Sequence, residues 1–319
     1  MTYSQYGTIQ ATDFNTYVGG NPTTTANTLN SVWATGGSSA GYGQTAVANV
    51  TAGNVVVATS AWNSLVTYTA NSATHQGSSI TAVTAPVSGN VVTYNSSIPT
   101  NLQTIYTNKL NAASQSGTSA NAVATATTWS NNALWTHTAT FANGDAARYF
   151  FNSGGQFKIT MAHSNVAAGI NLEWNQLASN VGTVAVSAMN SGTATIASTV
   201  YNGITKVGGG GTAPTISQNS GYYGLSISNA NAFTQVASTG PAGYTASYVN
   251  ILIKTNGAQG TNGDVGNVIT FYTKWQEASN VGLTVGTGST VTLTAVPPEV
   301  TNIGNSWGTI TLAGSVVVV

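Results

Sequence analysis

The sequence predicts a mainly β protein: a C-terminal β-sandwich of the jelly-roll type behind a small N-terminal region that contains helices. Three observations predict it. From about residue 125 onward, apolar and polar residues alternate with a period of two in run after run. Those runs are short and separated by turns rich in glycine and asparagine. Before that point, apolar residues recur at the helical spacing i, i+3, i+4 between Gly, Thr and Pro breakers. The expected division is 1–124 for an N-terminal docking region with short helices and few strands, and 125–319 for the sandwich.

In the first region, Thr12 is placed to cap a turn carrying Phe14, Tyr17 and Val18, which Gly19-Gly20 then stops. Leu29, Val32 and Trp33 repeat the spacing ahead of Gly36-Gly37. Ser60 is placed to cap a third helix with Trp62, Leu65 and Val66 on one face. A fourth follows Pro99, with Leu102, Ile105, Tyr106 and Leu110 on one side, since proline suits the first helical turn. Val55-Val56-Val57 and Val91-Val92-Thr93-Tyr94 read as short strands. Asp13 and Lys109 are the only charges before residue 120. Helices this poor in charge gain nothing from surface ion pairs, so packing must hold them.

In the second region, Phe157, Ile159 and Met161 alternate with Lys158 and Thr160. Ile269, Phe271, Thr273 and Trp275 alternate with Thr270, Tyr272 and Lys274. Val249, Ile251 and Ile253 interleave with Asn250, Leu252 and Lys254, and Val291, Leu293 and Ala295 with threonines. Thr193 to Val200, Tyr222 to Ser228 and Gly308 to Val319 read as further strands. Asn143-Gly144-Asp145 reads as a tight turn with positive φ at Gly144. Phe150 and Phe151 read as opposite faces of one strand, and Ser153-Gly154-Gly155 as the turn of a hairpin into the next. One helix is expected from Ile170 to Ala178, and a mobile or tightly turned loop at Gly208 to Gly211. Roughly eight such strands argue for a sandwich or jelly roll.

Composition then excludes whole classes of function. Only 4% of the 319 residues are charged, against about 25% in ordinary soluble proteins. Six basic and six acidic residues cancel, so the basic stripe that neutralises nucleic-acid phosphates is missing. Apolar runs are far shorter than the roughly 20 residues of a membrane-spanning helix, and no membrane insertion is expected. With no cysteine, disulfides, thiolate metal sites and thiol nucleophiles are excluded. Met1-Thr2-Tyr3-Ser4-Gln5-Tyr6 has neither the basic nor the apolar part of a secretory signal. A neutral surface of hydroxyls and amides favours association, and a homo-oligomer is expected.

The chemistry-bearing residues are few. The acids are Asp13, Asp145, Glu173, Asp264, Glu277 and Glu299, and no two are close in sequence. Most of them are expected in turns or local pairs, not as a hydrolytic carboxylate pair. His75, His137 and His163 never reach metal-ligand spacing. His137 and His163 fall in expected strands, and His75 where a helix would end. Gly37-Ser38-Ser39-Ala40-Gly41 matches the nucleophile-elbow pattern, and Asp145 and His163 follow it in hydrolase order. It lacks the strand-to-helix context that the elbow requires. Asn49-Val50-Thr51 and Asn95-Ser96-Ser97 fit the glycosylation sequon by composition alone. Seven tryptophans and fourteen tyrosines remain, with Trp62 and Trp275 on inward faces; such rings suit both core and sugar stacking. The residues thus predict no catalytic, cofactor-binding or metal-binding site, and no cofactor.

The stretch from His137 to Gln156, His-Thr-Ala-Thr-Phe-Ala-Asn-Gly-Asp-Ala-Ala-Arg-Tyr-Phe-Phe-Asn-Ser-Gly-Gly-Gln, resembles a segment of virion structural and tail-fibre-like proteins of marine tailed phages, the cyanophage type above all. Thr2 to Ile9, Trp33 to Gly36, Gly41 to Thr45 and His75 to Ile80 are similar to the same group. These matches cover parts of the first half of the chain. The resemblance implies a non-enzymatic virion part, assembled in the host cytoplasm, with other virion proteins as partners and host-surface glycan as a further one. It implies a tail, fibre or baseplate attachment, with a capsid-decorating or head-fibre protein as the alternative. A bacterial surface adhesin or polysaccharide-binding module is the alternative of another class.

Overall fold

The computed structural model describes residues 11–19, 27–35, 40–51, 58–85, 95–189, 192–217, 221–238, 245–279 and 282–319. Among the described residues, four α-helices precede the sheets. In α1 (Ala11–Val18) the expected stripe of Phe14, Tyr17 and Val18 is buried, and Phe14 packs edge-on against Trp62 at 5.3 Å. The single turn α2 (Leu29–Val32) buries every residue. After a π-helical turn, Ala58–Trp62, α3 (Asn63–Gln76) stops where Gly77 adopts the left-handed conformation. Next, α4 (Ser97–Thr107) starts two residues before Pro99 and buries Leu102 and Ile105. Buried and half-buried amides do what ion pairs cannot here. Asn30 bonds Gly19 and Val47, Asn15 bonds Val50, and the Gln76 amide donates to the Tyr42 hydroxyl and the Ile105 carbonyl. The expected strands at 55–57 and 91–94, and Ser38 of the elbow pattern, lie outside the described residues.

Two antiparallel sheets then pack as a sandwich. One has the order β1-β12-β3-β4-β7, from Ala120–Thr125, Ser289–Val296, Gln156–His163, Thr183–Val186 and Ile204–Val207. The other has the order β13-β2-β11-β10-β9-β8, from Thr311–Val318, Asn132–Thr140, Val268–Gln276, Tyr248–Thr255, Ala230–Val236 and Thr215–Ile216. A small hairpin, β5 (Ala194–Ile196) with β6 (Thr199–Tyr201), stands apart. Burial alternates strictly along β2, β10, β11 and β12. The inward rows meet in a core that includes Trp135, Phe157, Phe271 and Trp275 and continues without a break into the N-terminal helices.

Three expectations fail. Asn143 to Asn152 is no turn and strand but a helix, α5 (Gly144–Asn152), with the Asn143 side chain capping it by accepting from the Ala146 N–H at 2.8 Å. Phe150 and Phe151 are both buried and, with Ala146 and Ala147, form one helix face. Gly144 is not left-handed; it is glycine because a Cβ there would fall 2.1 Å from the Asp264 carbonyl oxygen. Tyr222 lies in a 3-10 turn, Gly221–Gly224, because its ring is needed in the core, stacked at 4.4 Å on Phe151. The run 193–200 is two strands, folded back at Ala197 and Ser198, whose positive φ values suit a tight hairpin. The expected helix at 170–178 is α6 (Ile170–Val181). Among the described residues, no helix is long and apolar enough to cross a membrane.

Candidate functional site

Packing between α6 and the ends of β10 and β11 brings together two acids that the sequence keeps far apart. Glu173, in the first turn of α6, and Glu277, just past β11, are 2% and 1% exposed. Each oxygen of Glu277 accepts an N–H: Oε1 from the Ser279 backbone at 2.8 Å and Oε2 from the Trp174 indole at 3.1 Å. Glu173 receives the Ser279 hydroxyl at 3.4 Å on Oε1 and also meets the Ser247 hydroxyl.

Burial pushes the Glu173 carboxyl up to about 7; Glu277 adds to the rise, and the Ser247 and Ser279 hydroxyls oppose it. Trp174 stacks on Trp275 at 5.1 Å, with Trp129 edge-on to Trp174 at 5.0 Å. This indole wall supplies the low-dielectric surroundings that favour a neutral acid. Enclosed as they are, the two acids offer no room for a substrate.

A raised carboxyl pKa lowers stability as pH climbs. Between the ordinary glutamate value near 4.5 and the native value of about 7, the folded chain binds more protons than the unfolded one. Glu173 therefore favours the fold most below that window, and the advantage is lost as pH rises through it. The histidines act oppositely: burial lowers His75 to about 4 and depresses His137 and His163. Comparison with Glu173→Gln, which keeps the side chain neutral, separates the two effects. The variant is expected to match the parent at pH 5 and to exceed it at pH 8 by on the order of 2 kcal/mol. Urea midpoints at the two pH values test this, and an equal difference at both would exclude a proton on Glu173.

The other singled-out residues serve the fold. His163 accepts or donates at Nδ1 to the Ser289 hydroxyl, 3.0 Å, and at Nε2 to Asn171 Oδ1, 3.2 Å. The line resembles a catalytic Ser-His-Asn. Yet Ser289 is fully buried and already accepts the Trp129 indole N–H at 3.1 Å, so nothing can approach its oxygen. Asp145 and His163 do not share this cluster with each other: Asp145 faces Arg148 and the backbone N–H of Gly263. His75 ends α3 as expected, and its Nε2 lies 2.9 Å from the Ser153 carbonyl oxygen. His137 faces inward on β2 beside Gly314 of β13. Asp264 and Glu299 bond locally in loops. Asp13, Glu173 and Glu277 are buried, against the expectation of turns and local pairs.

Arg148 pairs with Asp145 at 2.9 Å and is itself fully buried. A groove of about 450 Å³ lies along α3, α4 and residues 78–83; Leu65, Ala73, Ile80 and Ile98 line it, and no ionisable group does. Among the described residues no three His, Asp or Glu side chains are placed to hold a metal ion. The chain matches no protein-family model, no curated protein and no solved structure.

Proposed function

We propose that the protein is a non-enzymatic structural component of a phage virion, in a tail, fibre or baseplate attachment, where it assembles through its N-terminal region and exposes its β domain. One observation carries the reading: the three histidines, the arginine and three of the six acids lie inside the molecule. The buried histidines, the enclosed glutamates and the buried arginine are bonded into the fold. What faces water is mostly hydroxyl and amide. The uncharged groove of the N-terminal region suits contact with a neighbouring virion protein.

The resemblance of residues 137–156 to virion proteins points the same way. Antibody raised against the whole protein should decorate intact particles in negative stain, at the tail, its fibres or the baseplate. Label confined to unassembled protein, with particles bare, would overturn the proposal.

A further inference from the structure

The chain is neutral by composition, but its charges are sorted by depth. Three of the six acids, Asp13, Glu173 and Glu277, are at most 2% exposed. A fourth, Asp145, is matched by Arg148 at 2.9 Å. All five lysines are half-exposed. Water therefore meets five cations against Asp264 and Glu299. The ionisable side chains that reach water are thus mostly cationic.

Two of those lysines share one face. On the outer side of the six-stranded sheet, β11 presents Thr270, Tyr272 and Lys274, and β10 presents Asn250, Leu252 and Lys254. Register sets Lys274 opposite Asn250, Tyr272 opposite Leu252, and Thr270 opposite Lys254. Tyr272 thus lies between the two lysines, which stand roughly 14 Å apart by strand geometry. The Lys254 ammonium sits 5.6 Å from the Tyr272 ring centroid. None of the six strands carries an acid. Beside the lysines, Asn250 donates to Asn231 at 2.9 Å and to Thr234 at 2.8 Å, an amide and hydroxyl row held in place.

We infer that this face binds an extended acidic polysaccharide, a polyuronate in type. Tyr272 supplies a ring for a sugar face, with a polar tip. Asn250 and the threonines match sugar hydroxyls, and Lys254 and Lys274 meet carboxylates on either side. A nucleic acid fits less well. Its affinity grows with the number of phosphates neutralised, and two lysines contact too few. The inference deepens the attachment reading and rests on it for its setting. The binding itself is measured on the isolated protein, so either can fail without the other.

The test immobilises the intact protein and passes polygalacturonate over it, with neutral dextran and a DNA duplex as comparators. Salt-sensitive retention of polygalacturonate alone is expected. The double variant Lys254→Gln/Lys274→Gln should weaken it by about tenfold or more, and Tyr272→Ala should weaken it with the charges intact. Lys158→Gln, on the other sheet, should leave it unchanged, and all variants should melt as the parent does. Equal binding by the double variant, equal loss in Lys158→Gln, or equal retention of DNA would each overturn the inference.

Discussion

Arg148→Ala is expected to cost about 3 kcal/mol or more, the scale for removing one partner of a buried ion pair. In a chain of this size that lowers Tm by on the order of 5–10 °C. Every arm of the guanidinium is engaged. Nε and Nη2 donate to Asp145 Oδ1 at 3.1 and 2.9 Å, Nη2 reaches Asn262 at 3.3 Å, and Nη1 donates to the carbonyls of Thr35, at 2.8 Å, and Ala40. One side chain on α5 thereby joins the N-terminal segments to the loop between β10 and β11. Alanine would leave two carbonyls without their donor in a space water cannot readily fill. Lysine retains the charge but not the fork, so Arg148→Lys should recover only part of the loss. Thermal unfolding of the three proteins reads this directly. A melting temperature equal to the parent's in Arg148→Ala would mean that the two regions do not depend on this contact.

Gly154→Val should be comparably damaging, for two reasons that add. Gly154 links α5 to β3 at φ +89°, where an L residue costs about 1–2 kcal/mol. A Cβ there would also lie 2.4 Å from the Cβ of Ala112, which must move. Ala112 is buried and bonded to Thr195 and Ala197, so it has little freedom to yield. Overpacking of this kind adds about 1–3 kcal/mol. Gly154→Ala meets both penalties but adds no branched methyls, and should fall between parent and valine. Urea denaturation of the series checks the order, and an unchanged midpoint in the valine variant would show that this connection tolerates a side chain.

The sandwich strands are legible because one face of each is buried and the other is wet. Alternation along Val249 to Thr255 or Ile269 to Trp275 follows directly from that environment. The helix α5 was concealed by its own composition. Adjacent Phe150 and Phe151 imitate the two faces of a strand, and Asn143-Gly144-Asp145 imitates a turn. The spacing Ala146, Ala147, Phe150, Phe151 was the signal for a helix, strengthened by an asparagine cap. The buried acid pair left no local trace at all. Trp174 and Glu277 are 103 positions apart, and only the docking of α6 against the end of β11 makes them neighbours. A depth-sorted charge distribution is equally invisible to a count that sums to zero.

The register of the sheets sets the order in which the chain can fold. Ala120 pairs with Ala295, Asn132 with Gln276 and Thr140 with Thr311, so the earliest strands find their neighbours only among the latest. On a ribosome, β1 and β2 emerge long before anything exists to cover their edges. Pairings this distant in sequence are slow to form, because closing the intervening loop must precede any gain. The threonine row of β2, Thr136, Thr138 and Thr140, keeps one side of that waiting strand wettable. The sandwich is closed from both ends at once. Chains cut short before β11 therefore lack a central strand of the larger sheet.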